Sequence, residues 1–432
     1  MSSSSHSREE KSDDQRNGSN LEEGSPEKAE TNTQAPRKAR WDPWLRVLAT
    51  FLVYVSTWGL LNAVGSYQNY YSTVLLPDES NSNLTWVGTL QAVLIILIGV
   101  VSGPLFDRGY IRTLLITGCF LVVFGMMMTS LGTQFYQIVL AQGLCVGLGG
   151  GMIYVPCLAL VGSSFSAKNR VVAIAVATSG AAVGGVVFPV ALQNLIPEVG
   201  FPWATRIIGF IAMFCFVVAL IIVLPRTPKP PPQARSLIDW TAFREPAFMF
   251  FCFSLFFTFI AYYVPFFFTP DFGAEKVHAS ADFSVYLLTM MNAATAPGRI
   301  IAALLATRFG SLEIFLASLF GCTIVLWGWF GVTSLAGFDV WVVVFGFFAG
   351  PLVTVPAAVA AEVCPSVEMY GTRLGMAWAF AALGGLVGAP TAGALIKGAS
   401  FCKAQAFVGV MMTTGFVLLV MMWLALRKNR KS

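Results

Sequence analysis

Amides and aromatic rings that carry a hydrogen-bonding group occur within the long apolar stretches of this sequence. On an apolar and aromatic wall, such groups form the hydrogen bonds that orient a bound organic molecule. Taken singly, each also suits a hydrogen bond between two helices or a place in the core. As a set they are our candidate solute-binding residues: Asn62, Tyr67, Gln68, Gln91, Tyr154, Asn292 and Trp378.

Arg299 is a further candidate, because it follows Pro297 within another apolar stretch and a proline kink opens a helix. Two interpretations of this arginine stay open. It faces the interior, where it contacts a solute or handles a proton, or it extends to the nearer membrane surface.

The patterns of catalytic and metal sites are not found in the sequence. His6 and His278 lie in polar segments, so neither can form a buried metal site or a catalytic triad. Gly149-Gly150-Gly151 lacks a following Lys-Ser/Thr pair and is not a phosphate-binding loop. The eight cysteines fall singly, mostly in apolar stretches, as small packing residues do. We expect neither an enzyme nor a cofactor.

The composition is that of a membrane protein, with 56% hydrophobic and only 11% charged residues. The net charge of +5 does not indicate nucleic-acid binding, because the basic residues are spread over short loops and both ends of the chain. A helix of about 20 apolar residues crosses a bilayer. The sequence predicts twelve such helices, near 44–70, 84–105, 112–131, 136–162, 170–195, 203–224, 246–270, 282–305, 311–333, 338–361, 372–396 and 404–426.

A proline-rich interruption divides these helices six and six, since three consecutive prolines cannot continue a helix. We therefore predict an all-α membrane fold of two six-helix bundles. The predicted segments are a disordered cytosolic tail (1–43), an N-terminal bundle (44–224), a cytosolic linker (225–244), a C-terminal bundle (245–427) and a short cytosolic tail (428–432).

The distribution of basic residues predicts the orientation. Of the 27 Lys and Arg residues, 23 fall on the side that holds both termini, and Arg206, Lys276, Lys397 and Lys403 fall on the other. Basic residues favour the cytosolic side, so both termini are expected there. Asn83-Leu84-Thr85, on the opposite side, is an N-glycosylation acceptor pattern, and Asn83 is the candidate site.

An internal repeat relates the two halves. A shift of 200 residues brings Arg108 onto Arg308, Gly150 onto Gly350 and Gly184-Gly185 onto Gly384-Gly385. Glycines serve backbone geometry, so their repetition indicates duplicated structure, which in membranes is typical of secondary transporters. The expected helix-packing residues are Gly180, Gly184, Gly185, Pro189, Gly384, Gly385, Gly388 and Pro390.

A short charged turn, Gly103 to Arg112, separates the second and third stretches. Asp107 and Arg108 cannot lie in hydrocarbon and so mark an aqueous turn. We expect Asp107 to lie near a helix N-terminus and to join neighbouring helix ends, the alternative being a solvated pair that only sets topology. The predicted conformational-gate residues are Gly103, Asp107, Arg108, Arg112, Arg170, Arg308, Glu362 and Arg373.

Over residues 44–426 the chain resembles the major facilitator superfamily. In the loop signature of that superfamily one residue separates the basic residue from the next glycine, whereas here Gly109 follows Arg108 directly. The second copy keeps Arg308-Phe309-Gly310 but has Thr307 in place of the carboxylate. The resemblance implies two bundles that move about a central solute site.

Within the superfamily the chain resembles the fungal branch of the monocarboxylate porters, through segments 62–71, 179–189, 200–206 and 297–299. Animal porters of that kind carry a lysine in the first span and an Asp and an Arg in the eighth. The corresponding positions here are Gly65, Asn292 and Ala296. We therefore expect an uncharged interior, which favours a larger neutral or amphipathic solute over a simple monocarboxylate.

The expected function is transport of a small organic solute across the plasma membrane by a monomer, with export of a secondary metabolite favoured. The alternatives are uptake of a monocarboxylate or vitamin-like nutrient, with proton coupling left open, and a nutrient sensor on the same fold. The lipid bilayer is the other expected partner.

Overall fold

The computed structural model describes residues 37–165, 167–226, 238–364, 367–396 and 400–429. Contacts divide the chain into residues 1–40 and 41–432, and the description below concerns the second unit. Most of the predicted N-terminal tail and of the predicted linker lies outside the described residues. The first helix begins at Arg37, seven residues before its predicted start at residue 44.

The described secondary structure is almost entirely helical, and we number the long helices α1 to α12. They are α1 (Arg37–Ser56, Trp58–Asn62 and Val64–Tyr70), α2 (Asn81–Asp107), α3 (Ile111–Thr129), α4 (Phe135–Ile138, Val139–Val146 and Gly147–Ser164), α5 and α6 (Ala167–Thr178 and Gly180–Val223), α7 (Pro246–Lys276), α8 (Ala281–Phe309), α9 (Ser311–Gly328), α10 (Leu335–Thr354 and Pro356–Val363), α11 (Val367–Leu395) and α12 (Cys402–Asn429).

Eleven helical stretches of the described chain are long and apolar enough to cross a membrane. The longest, Asn169–Val223, has 55 residues and is broken at Gly200, whose φ of 75° and ψ of 161° are not helical. We take residues 167–199 as α5 and 201–223 as α6. The prediction of an all-α fold with twelve membrane-crossing helices is thereby confirmed.

Glycines with positive φ terminate the equivalent helices α2 and α8. Gly109 follows the end of α2 with a φ of 91°, and Gly310 caps α8 with a φ of 100°. Left-handed backbone of this kind ends a helix and is accessible to glycine without strain. The turn predicted between Asp107 and Arg112 therefore forms. Gly109 and Gly310 both have positive φ, although Gly109 follows Arg108 directly and one residue separates Arg308 from Gly310.

Within each half, a glycine face on one helix allows a second helix to approach closely. A Cβ atom at Gly184 in α5 would collide with the carbonyl oxygen of Val55 in α1. In the second half, a Cβ atom at Gly384 or Gly388 in α11 would collide with the carbonyl oxygens of Phe256 and Ile260 in α7, respectively. In both the α1–α5 and the α7–α11 pair, glycines on one helix therefore allow the backbone of the other helix to pack closely.

The two halves meet along a surface that we call the seam, formed by α1, α2 and α5 against α7, α8 and α11. We call the end of the bundle at which α1 begins proximal, and the other end distal. At the proximal end a Cβ atom on Gly375 would lie 3.2 Å from Val100, and at the distal end one on Gly393 would lie 3.4 Å from the Cα atom of Ser82. The halves therefore touch at both ends.

Substitution of Gly388 should separate α11 from α7. We expect Gly388→Ala to lower the thermal unfolding midpoint of the purified protein, because the added methyl group would displace the backbone at Ile260. Gly162→Ala is the matched control. A Cβ atom at Gly162 would have no neighbour within 4 Å, and alanine favours a helix by about 1 kcal/mol over glycine. Equal midpoints for the two variants would contradict the close packing.

Candidate functional site

Two of the predicted solute-binding asparagines meet at the centre of the seam. The Asn62 side chain donates to the carbonyl oxygen of Ala181 over 3.2 Å, and the Asn292 side chain donates to the carbonyls of Leu288 (3.1 Å) and Asn62 (3.5 Å). A Cβ atom at Gly185 would lie 2.7 Å from the Asn292 amide carbon. In this conformation Asn292 therefore packs α8 against α1 and α5.

Aromatic side chains from both halves line the seam on the proximal side of these asparagines. In the first half, Tyr54, Trp58 and Tyr154 have ring centroids 5.5–6.4 Å apart. In the second half, Phe259 lies 5.2–6.0 Å from three other rings. We call these seven residues the aromatic cluster: Tyr54, Trp58, Tyr154, Phe259, Tyr262, Tyr263 and Trp378. Most are part of one hydrophobic core that includes residues of both halves.

Arg299 lies at this cluster and is buried, with 3% of its surface exposed. Its Nη1 donates to the carbonyl oxygen of Thr178 in α5 over 2.6 Å, a hydrogen bond that crosses the seam. The guanidinium also interacts electrostatically with Tyr54 and Tyr262. The interpretation that Arg299 extends to the membrane surface is therefore wrong, and so is the expectation of an uncharged interior.

The other candidate solute-binding residues are buried but not gathered at one point. Tyr67 packs within the first half, its ring 6.2 Å from Phe201 and 6.1 Å from Tyr71, so it does not belong with the seam residues. Gln68 and Gln91 are 2% and 0% exposed, and neither side-chain amide has a hydrogen-bond partner. Buried amides without partners are rare, and they are available to a solute or to water.

Asp107 is buried at the proximal end of α2, whereas Arg108 is exposed. Helices α2 and α11 run antiparallel in constant register, since Ser82 lies against Gly393 and, eighteen residues further, Val100 lies against Gly375. If the same register continues for seven residues beyond Val100, Asp107 lies level with residue 368, in the first turn of α11. That Asp107 lies near a helix N-terminus and joins neighbouring helix ends stays a prediction.

Arg373, in α11, is ion-paired within its own half. Its Nε lies 2.9 Å from the Oδ2 atom of Asp239, and its two Nη atoms each lie 2.6 Å from an oxygen of Glu245. Asp239 belongs to the segment before α7, and Glu245 precedes the first residue of that helix. The sequence analysis predicts a conformational-gate role for Arg373, as for Arg170. In the structure, Asp239 and Glu245 connect Arg373 to the start of α7, within one bundle.

Asp239 also accepts hydrogen bonds from the backbone and the hydroxyl of Thr241. These hydrogen bonds, and then Arg373, hold the pKa of Asp239 below its ordinary value. A carboxylate with a lowered pKa contributes stability above its unfolded pKa, and that contribution is lost as pH falls through the folded value. The Arg373 network is therefore fully formed at neutral pH.

The remaining predicted gate residues differ in their surroundings. The Oε1 atom of Glu362 accepts from the backbone N–H of Ser311 over 2.9 Å, so its partner here is the start of α9 rather than a basic side chain. Arg112, Arg170 and Arg308 are exposed near the proximal end, and Gly103 is half-buried in α2. Asn83 is exposed in the first turn of α2, where its side chain donates to Glu79 over 2.9 Å.

Several residues of the seam and of the Arg373 network are missing from the sequence predictions: Tyr54, Trp58, Phe259, Tyr262, Tyr263, Asp239 and Glu245. One signal was available, since the 200-residue shift that relates the halves places Asn62 on Tyr262. The carboxylates gave none, because they lie 134 and 128 residues from Arg373 in the sequence.

Removal of the Arg373 side-chain charge should leave two carboxylates unpaired. We expect Arg373→Gln to destabilise the folded protein by at least about 2 kcal/mol. Arg244→Gln, the removal of an exposed charge next to Glu245, is the control and should have little effect. Chemical unfolding of both variants in detergent measures the difference, and an unchanged Arg373→Gln protein would contradict the network.

Comparison with known proteins agrees with this architecture. The family model described as Major Facilitator Superfamily matches residues 46–345. The MFS-type transporter dbaD of Emericella nidulans is 36% identical over 354 residues, which cover 82% of this chain and 79% of dbaD.

Two further relatives are named as efflux proteins. The aspyridones efflux protein apdF of Emericella nidulans is 32% identical, over 87% of this chain and 76% of its own length. The fujikurins efflux protein of Gibberella fujikuroi is 31% identical, over 93% and 86%. With twelve membrane-crossing helices in two related halves, the chain is a multi-pass membrane protein that belongs to the Major Facilitator Superfamily.

Proposed function

We propose that this protein exports a small organic solute, a secondary metabolite of the cell that makes it, by alternating access. The observation that carries the proposal is the seam itself. The two halves touch at both ends of α2 and α11, while the interior between them holds buried polar groups without hydrogen-bond partners. Such an interior suits a solute that is bound in turn from each side of the membrane.

The contacts across the seam support relative movement of the halves. Three hydrogen bonds among the described residues cross the seam, and they join the side chains of Ser82, Asn292 and Arg299 to backbone carbonyls, over 3.4, 3.5 and 2.6 Å. The bidentate ion pair of Arg373 lies within the second half. The second half is therefore fastened internally by a strong ion pair, whereas two of the three hydrogen bonds between the halves are long and can be exchanged for bonds to a solute or to water.

Export is favoured over uptake by the efflux proteins among the relatives. The distribution of basic residues favours a cytosolic proximal end and hence cytosolic termini, and a secondary-metabolite exporter belongs in the plasma membrane. The fungal monocarboxylate-porter-like branch is our finer assignment, and it rests on the segments around Asn62, Gly184 and Arg299. A monomer suffices, because one chain supplies both halves of the site.

Uptake of an acidic nutrient, with or without a coupled proton, is the second candidate function. The buried Arg299 favours an acidic solute in either direction of transport, because a cation in the interior of a membrane protein attracts an anion, and it therefore suits this function as well. The exposed Asn83, on the distal side, is available for glycosylation in either case.

Metabolite profiles of cells with and without the gene distinguish export from uptake. If the protein is an exporter, deletion raises the intracellular and lowers the extracellular amount of a specific set of compounds, and reintroduction of the gene reverses both changes. If it is an importer, the extracellular compounds accumulate instead. Profiles that do not depend on the gene would contradict transport of either kind.

A further inference from the structure

Arg299 is a buried cation whose observed partners carry no negative charge. Its guanidinium donates to the carbonyl oxygen of Thr178 and lies close to Tyr54, Tyr262 and Tyr263. Its Nε atom is buried and has no hydrogen-bond partner. The positive charge in the seam is therefore stabilised by dipoles but not neutralised.

A positive charge buried between membrane-crossing helices is unfavourable unless an anionic group binds to it. An arginine side chain stays protonated in proteins, and arginines within membrane-crossing helices almost always pair with an opposite charge or mark the path of a solute. A hydrogen bond to one carbonyl oxygen satisfies a single donor of the five that a guanidinium carries. The unpaired Nε–H belongs to the fork that binds a carboxylate with two parallel hydrogen bonds.

The side chains close to Arg299 are aromatic and come from both halves: Tyr54 from α1, and Tyr262 and Tyr263 from α7. The Tyr54 ring in turn lies 6.4 Å from that of Trp58 and 6.2 Å from that of Tyr154. The hydroxyl of Tyr263 and the indole N–H of Trp58 are also buried without hydrogen-bond partners. An unpaired cation, two unpaired polar groups and flat apolar rings thus occur together, and a single ligand that is both anionic and conjugated would satisfy all of them.

We propose that Arg299 binds the ionised acidic group of the transported solute, and that the aromatic cluster packs against its conjugated ring system. The inference rests on the proposed transport function and defines its substrate class as conjugated organic acids. The ligand and the contact to Thr178 share the same guanidinium, so the anion binds where the halves are joined.

A structural role is the competing explanation, in which Arg299 only joins α8 to α5 through Thr178. The two roles differ in what they require of the transported compound. A structural arginine is indifferent to the charge of the solute, whereas a binding arginine requires an anion. The charge of the exported compounds therefore tests the proposal without any variant.

The experiment compares metabolite export in a gene-deleted strain that carries the wild-type protein, Arg299→Gln, Arg299→Lys or Lys403→Gln. We expect the compounds exported by the wild type to be retained by an anion-exchange resin at neutral pH. Arg299→Gln should reduce their export by at least about tenfold, because a charge-assisted hydrogen bond is lost. Arg299→Lys should keep part of the export. Lys403→Gln removes an exposed charge at the distal end and should export like the wild type.

The outcomes separate this inference from the proposed function. If the exported compounds are neutral, or if Arg299→Gln exports the acids at the wild-type rate, the inference is wrong while the protein remains an exporter. If no compound depends on the gene, the transport proposal itself fails. If Arg299→Gln does not fold, as judged by its unfolding midpoint, the anion-exchange result and the folded Arg299→Lys protein still decide the matter.

Discussion

The close approach of helix backbones across the seam is the constraint on which the rest of the structure depends. Gly65 brings α1 against the carbonyl oxygen of Phe266, and Gly185 leaves room for the Asn292 side chain. Lipid supplies no hydrophobic force between helices, so these contacts depend on shape and van der Waals attraction. Van der Waals contacts can be broken without leaving an unpaired charge. Two halves that move relative to one another require contacts of this kind.

Electrostatic interactions are placed differently. Among the described residues, a network of ion pairs lies within the second half, where Asp239 and Glu245 hold Arg373 at the proximal end of α7 and α11. In the seam, by contrast, Arg299 has only uncharged partners. This division stabilises the second half internally and leaves a positive charge at the surface between the halves, where a solute can complete the hydrogen bonding of the guanidinium.

The helices were predictable from the sequence, because apolar runs of membrane length and their glycine and proline terminators are local properties. Gly109 and Gly310 are examples, since their positive φ values end α2 and α8 where the charge pattern predicts a turn. The site was predictable only in part. The partners of Arg373 depend on tertiary packing. The aromatic residues of α7 that line the seam are of the same types as aromatic residues that face lipid, so the sequence does not distinguish them. The charge of the interior was mispredicted because the sequence left two interpretations of Arg299 open, and the burial that decides between them depends on tertiary packing.

Disulfide trapping of the proximal end of the seam tests the central claim, that the two halves must separate for transport. A Cβ atom at Gly375 would lie 4.0 Å from that of Val100, a distance suited to a disulfide. In a background without the native cysteines, oxidation of the Val100→Cys/Gly375→Cys protein should arrest export, and a reductant should restore it. Export at the wild-type rate by the fully cross-linked protein would contradict the account.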